Sequence, residues 1–355
     1  MMNMKQRMLS VIREGKPDRV PFVQYSNIAG PNEEIWKQIG KENMGLLRWC
    51  SVHRFEAPNC RFEHEEIVRD GQKVWRNTLV TPEGIITEDR VRVPSMGGVT
   101  TFAKHYIETT DDYRVLMAYL RDLTVVKDTN PVKQVIAEMG DDGLPHVSLG
   151  RTPYQQLWIQ WASMMDLSMH LADEPELVEE CMDLMGNVLL AASEVVLQAA
   201  DEVEIPYVVI GDNITAPLIG ERRFYKYCVP YYRAISERLA EKQIPLFVHM
   251  DGDLRPLWDA IGESGVKGLD SLSPPPDNDT SVADAVSVWP DMRLLVNFPS
   301  SVHLSDSETI YNRAIEILEQ GGHTGLLQIQ ISENMPPNTW QKSFPEIVRA
   351  IGDWE

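Results

Sequence analysis

No stretch of the sequence approaches the ~18 unbroken apolar residues of a membrane-spanning helix, and Met1 to Arg7 lack the apolar core of a secretory signal. A cytoplasmic protein is expected. Cysteine is scarce: Cys50, Cys60, Cys181 and Cys228 show no CxxC spacing, so buried thiols in a reducing compartment are expected rather than disulfides. Basic residues are outnumbered, 33 Lys and Arg against 53 Asp and Glu, for a formal charge of −20. A chain without clustered cations gains nothing from counterion release, which argues against nucleic acid as a partner and disfavours an anionic membrane surface. Repeats and low-complexity tracts are also missing.

What the chain does have is a recurring unit, a short apolar run that stops at polar residues. Pro245 to Val248 ends at His249, Asp251 and Asp253; Ile205 to Ile210 ends at Gly211, Asp212 and Asn213; Val266 to Leu269 ends at Asp270. Met292 to Val296 ends at Asn297, and Gly325 to Ile331 at Ser332, Glu333 and Asn334. Amphipathic segments of helical length lie between them, at Glu221 to Lys242, Leu254 to Ser264, Ser281 to Trp289 and Ser305 to Gly321. Strands alternating with helices at this spacing predict parallel strands joined by crossover helices. Ligands of such sheets bind at the carboxyl ends of the strands, where these polar residues fall.

The N-terminal segment predicts a helix over Lys5 to Glu14, a turn through Pro17 and Pro21, and a first strand Phe22 to Tyr25. Residues of about 60 to 108 read differently. Asp70-Gly71 and Thr81 to Gly84 are turn signals between alternating segments, so this region is expected to be an antiparallel hairpin insertion, followed by a helix over Thr110 to Leu120. One domain, 1–355, is expected. Several notable residues also have plain structural roles open to them. Asp212 and Asn213 suit a helix cap or Asx turn, Cys228 an inert thiol within a helix, and Trp158, Trp161, Tyr231 and Tyr232 a core or cavity wall. His170, His303 and His323 read as solvated surface.

Several of these residues together resemble the superfamily of uroporphyrinogen decarboxylase and the cobalamin-dependent methyltransferases. They are Arg7-Met8-Leu9 with Gly15 to Pro21, the Thr81 to Gly84 turn, Gly211-Asp212-Asn213, Phe224 with Pro230-Tyr231, His249 to Gly252, and Pro336-Pro337-Asn338. The resemblance spans nearly the whole chain and implies a single (β/α)8 TIM barrel, an α/β fold, with its active site at the carboxyl ends of the strands.

The departures from that family select a branch. The decarboxylase carries an Arg-Gln-Ala-Gly-Arg motif after the first strand to clamp its substrate's carboxylates, where this chain has Gln24 to Pro31. Thiol-methylating members carry His-x-Cys and a later Cys as zinc ligands; here Asp251 stands at the first Cys position. Corrinoid-dependent demethylases resemble a Glu-x14-Glu-x20-His pattern that falls on Asn213, Cys228 and His249. Two alternatives follow: Zn2+ held by a set drawn from Asp212, Cys228, His249 and Asp251, or loss of the metal, with these groups acting as acid, base and hydrogen-bond partners.

Expelling an alkoxide or amine during methyl transfer requires a proton or Lewis acid at the leaving atom. His249 suits either task, with Asp212 or Asp251 orienting it. The expected catalytic residues are therefore His249, Asp212 and Asp251, and the expected metal ligands His249, Asp251 and Cys228. Substrate contacts are expected from Gln24, Tyr25, Asn213, Asp270, Asn297, Glu333 and Arg151. The resemblance implies a corrinoid-dependent methyltransferase acting on a small O-methyl or N-methyl compound. The chain has no Asp-x-His-x-x-Gly corrinoid motif, so the corrinoid is expected on a partner protein; a homodimer is compatible with the sequence. The competing reading is a decarboxylase of a small acid held by Arg151, and a third class is a binding protein without activity.

Overall fold

The computed structural model describes residues 2–13, 15–69, 71–93, 99–333 and 335–354. Glu14, Asp70 and Asn334, all within segments considered above, lie outside the described residues. The chain divides into two compact units, one of residues 1–52, 127–150 and 196–355, the other of residues 53–126 and 151–195.

The first unit is a closed barrel of eight parallel strands: β1 Phe22–Tyr25, β2 Gly45–Cys50, β3 Gly143–Gly150, β4 Val208–Ile210, β5 Leu246–His249, β6 Gly268–Leu272, β7 Arg293–Asn297 and β8 Leu327–Ile331. Around the barrel the order is β1, β8, β7, β6, β5, β4, β3, β2. This is the (β/α)8 architecture, with at least one helix between each pair of consecutive strands. The strand runs are buried almost throughout, as strands enclosed by helices must be. Inward-facing Val23, Tyr25, Leu47, Leu144, Tyr207, Val209, Phe247 and Leu295 form one core cluster with Met4, Met8, Val11 and Ile12 of the N-terminal helix Met4–Ile12. That helix starts from a capping box at Asn3, whose side chain accepts from the Gln6 amide while the Gln6 side chain accepts from the Asn3 amide.

One expected helix breaks. Instead of a single helix over Glu221 to Lys242, helices Ala216–Tyr227 and Val229–Ala240 meet at Cys228, because Pro230 has no N–H to donate and its ring crowds the preceding turn. The expectation of solvated histidines also fails at two positions. His303 is buried, its Nδ1 2.9 Å from the Ser343 hydroxyl and its ring between Phe298 and Phe344. His170 is buried with its Nδ1 3.4 Å from the Tyr113 hydroxyl, whereas His323 is exposed.

In the second unit, strands Arg61–Arg69, Gln72–Thr81, Gly84–Arg92 and Thr100–Lys104 form a four-stranded antiparallel meander. The register pairs Thr81 with Gly84, so the turn predicted there is a tight hairpin, and Arg69 pairs with Gln72 on either side of the predicted turn at Asp70-Gly71, whose Asp70 lies outside the described residues. Gly84 sits at φ 145°, a conformation open to glycine. Helix Asp112–Asp122 follows two residues later than expected. Within this unit the buried Asp89 carboxylate takes two 2.8 Å hydrogen bonds from Arg76, with Arg69 at 3.4 Å. Among the described residues no helix is long and apolar enough to cross a membrane.

Candidate functional site

His249 and Asp270 pair across β5 and β6, which brings two strand-end polar side chains together on one side of the sheet. His249 Nδ1 lies 3.3 Å from Asp270 Oδ2. The same oxygen accepts a 2.5 Å hydrogen bond from the Tyr25 hydroxyl at the end of β1, and Asp270 Oδ1 accepts one of 2.9 Å from Gln330 Nε2 on β8. Behind them His146 of β3 places Nε2 3.7 Å from Asp270 Oδ2 and holds its Nδ1 3.0 Å from the Tyr207 hydroxyl. The other nitrogen of His249, Nε2, faces Glu333 Oε1 at 3.1 Å and Asp251 Oδ2 at 3.7 Å.

Local backbone sets these positions. Asp251 precedes Gly252, where a Cβ would come within 2.3 Å of Thr215, so the turn after β5 needs a glycine to close against that residue. β6 slips register between Asp270 and Leu272 at Ser271, which takes a left-handed φ of 66° and sends its hydroxyl to Ser332 at 2.7 Å. A strained, buried, non-glycine residue next to Asp270 is the kind of feature that accumulates at functional sites.

The electrostatics divide the two histidines. Burial opposes a charge on His249, but the neighbouring carboxylates of Asp251, Asp270 and Glu333 outweigh burial and hold its pKa well above 6.5. Burial pushes His146 down to about 4, so that ring is neutral near pH 7. Burial also disfavours the Asp270 carboxylate; the imidazoles of His146 and His249 and the Tyr25 hydroxyl reverse this and keep it ionised below the ordinary carboxylate value. With His146 neutral, His249 is the cation that matters to Asp270.

His249, Asp251 and Glu333 can offer one nitrogen and two carboxylate oxygens within 4.8 Å of one another. Glu333 Oε1 is buried and lacks the alignment for a hydrogen bond despite its short approach to His249. An orphaned carboxylate oxygen beside an imidazole nitrogen and a second carboxylate fits a divalent cation such as zinc, which takes all three donor types.

Among the residues expected from sequence, Tyr25, His249, Asp251, Asp270 and Glu333 meet in this cluster. Asp270, rather than Asp212, is the carboxylate at His249 Nδ1: it is paired sideways across the sheet, while Asp212 receives the Tyr232 hydroxyl at 2.6 Å. Cys228 is buried at the helix break, outside the ligand-capable group, and Glu333 stands in that group instead. Asn297 joins the neighbouring hydrogen-bond ring, accepting from the amide and hydroxyl of Ser332. Gln24 is taken up in its own loop by Asn32 and the Ala29 amide. Asn213 follows Asp212 beyond β4, and Arg151 belongs to the second unit. His146, Tyr207 and Gln330 were not singled out from the sequence, nor was Trp49, whose exposed indole lies 4.1 Å from the His146 ring centroid.

The profile of the uroporphyrinogen decarboxylase (URO-D) family matches residues 161–351, more than half of the chain. The chain belongs to the uroporphyrinogen decarboxylase family. No curated protein sequence matches it. Among solved structures this family member is similar to a methyltransferase from Methanosarcina mazei, at 13% identity and a TM-score of 0.60 over 100% of this chain and 99% of that one. A B12-independent methionine synthase from Shewanella shares 8% identity over 83% of this chain and 75% of that one, at a TM-score of 0.43. At 13% identity the likeness to the Methanosarcina methyltransferase is one of fold.

Proposed function

We propose that this URO-D family member is a methyltransferase, moving a methyl group between a small O-methyl or N-methyl compound and the cobalt of a corrinoid carried by a partner protein. The observation that carries the reading is the His249, Asp251 and Glu333 cluster with its orphaned carboxylate oxygen at the carboxyl ends of the strands. The fold likeness to a methyltransferase supports it, and so does the sequence after β1, where Gln24 to Pro31 contain no arginine to hold a polycarboxylate.

His249, Asp251 and Glu333 would hold a zinc ion, which supplies Lewis acidity at the leaving atom. The corrinoid supplies the methyl-exchanging centre. Asp270 keeps Nδ1 of His249 engaged and so leaves Nε2 toward the reacting group. Where no metal is held, the protonated Nε2 of His249 is placed to give its proton to the departing oxygen or nitrogen, and Asp251 and Glu333 stabilise the imidazolium until then. Burial of His249, Asp270 and Tyr25 excludes water from that proton and strengthens each of these interactions.

The test is incubation of the protein with a reduced corrinoid protein and a panel of methyl ethers and methylamines, following the corrinoid's visible absorption. A donor-dependent change is expected. Release of carbon dioxide from a small carboxylic acid, with no donor altering the corrinoid, would overturn the assignment in favour of a lyase.

A further inference from the structure

Asp270 is wholly buried at a strand end, yet among the described residues no lysine or arginine pairs with it. Its oxygens are used by neutral donors from two other strands, Tyr25 on β1 and Gln330 on β8, and by His249 Nδ1. The Gln330 amide is itself held, since its Oε1 accepts from Gln328 Nε2 at 3.0 Å. The Met250 amide donates to the Asp270 carbonyl at 2.9 Å, extending the β5–β6 ladder past His249. A carboxylate met from this many sides has both oxygens engaged by hydrogen bonds and is not among the groups placed to ligate a cation.

We propose that Asp270 is the positioning residue of this site: it holds a proton on His249 Nδ1 and so makes Nε2, which faces Asp251 and Glu333, the nitrogen that meets a cation. An imidazole has two nearly equivalent nitrogens, and which one meets a metal is set by the hydrogen bond the other makes. Tyr25 and Gln330 act one step further back, holding the carboxylate in the orientation that reaches Nδ1. The inference rests on the cation-binding reading of His249, Asp251 and Glu333, and not on the identity of the methyl donor.

The full chain, stripped of metal and titrated with Zn2+ alone, tests it. Asp270→Asn should weaken zinc binding by about ten- to a hundredfold, the usual effect of removing such a partner, while circular dichroism and the melting temperature show the barrel intact. Nitrogen-15 NMR of the zinc-loaded wild type should show His249 bound through Nε2 with a proton on Nδ1, and the variant should show both ring orientations. Tyr25→Phe, which leaves the carboxylate in place, should weaken zinc in the same direction by a smaller factor; it carries the test should Asp270→Asn fail to fold. Wild-type zinc affinity and an unchanged ring spectrum in these variants would overturn the proposal alone. Absence of any zinc binding by the wild type would overturn the cation reading beneath it, and failure of every methyl donor would touch neither result.

Discussion

Asp270 and Asp89 are both fully buried carboxylates, and their surroundings differ in kind. Asp89, in the antiparallel sheet, is gripped in two bonds by Arg76 and approached by Arg69, groups that stay charged at any physiological pH. Asp270, at the barrel's strand ends, is met by a phenol, an amide and an imidazole that can gain or lose a proton. The first arrangement fixes a charge for the sake of the fold. The second connects a charge to a histidine whose other nitrogen faces two half-buried carboxylates, and it is chemically useful only if something binds there.

The contrast can be broken by substitutions that should act on activity in one region and on stability in the other. His249→Ala is expected to lower methyl transfer by at least ~10²-fold, the scale of lost acid or Lewis-acid assistance, with little change in melting temperature. Zinc lost together with activity assigns ligation to His249, while a pH-dependent rate in a metal-free enzyme assigns proton transfer; full activity in the variant would contradict both. Asp89→Asn should instead leave methyl transfer alone and cost about 2–3 kcal/mol in chemical denaturation, below the ~3–5 of a fully buried pair because Arg76 is partly exposed. A drop in transfer rate at unchanged stability would erase the distinction drawn here.

A smaller effect should come from buried His303. Burial depresses its pKa to about 4 in the folded chain against about 6.5 unfolded, so the unfolded state binds the extra proton between these values. Stability contributed by the neutral ring is therefore complete above pH 6.5 and falls as the pH drops toward 4, by roughly 1–2 kcal/mol at pH 5. Denaturant titrations of the wild type and His303→Gln should show this slope and its reduction in the variant. Equal slopes would mean that His303 is not the group responsible. Uroporphyrinogen should not be turned over at all, since nothing replaces the arginine clamp after β1; measurable decarboxylation would overturn the branch assignment.

The strand ends were legible because a parallel barrel writes them plainly, as apolar runs that stop at His249, Asp270, Asn297 and Glu333. β1 was found at its observed boundaries, Phe22–Tyr25. Polar-tipped residues within the apolar runs, ahead of the strand ends, were harder to see. His146 and Tyr207 are single polar-tipped rings within apolar runs, and such rings are as often core as site; only the closed barrel puts them beside Asp270. Gln328 and Gln330 did leave a signal, two amides alternating with Ile329 and Ile331 on a strand buried on both sides. That Glu333, and not Cys228, stands in the ligand-capable group with His249 and Asp251 was out of reach of spacing arguments, because the break at Pro230 and the turn after β8 decide which side chains converge.

The central claim, that the strand-end cluster is a cation-supported transfer site, is tested most directly by metal content. Elemental analysis of the purified wild type, His249→Ala, Glu333→Gln and Cys228→Ala, each reconstituted with zinc and desalted, should find about one zinc per chain in the wild type and in Cys228→Ala, and a loss in the other two. Zinc retained by His249→Ala and Glu333→Gln, or lost with Cys228→Ala, would contradict the account.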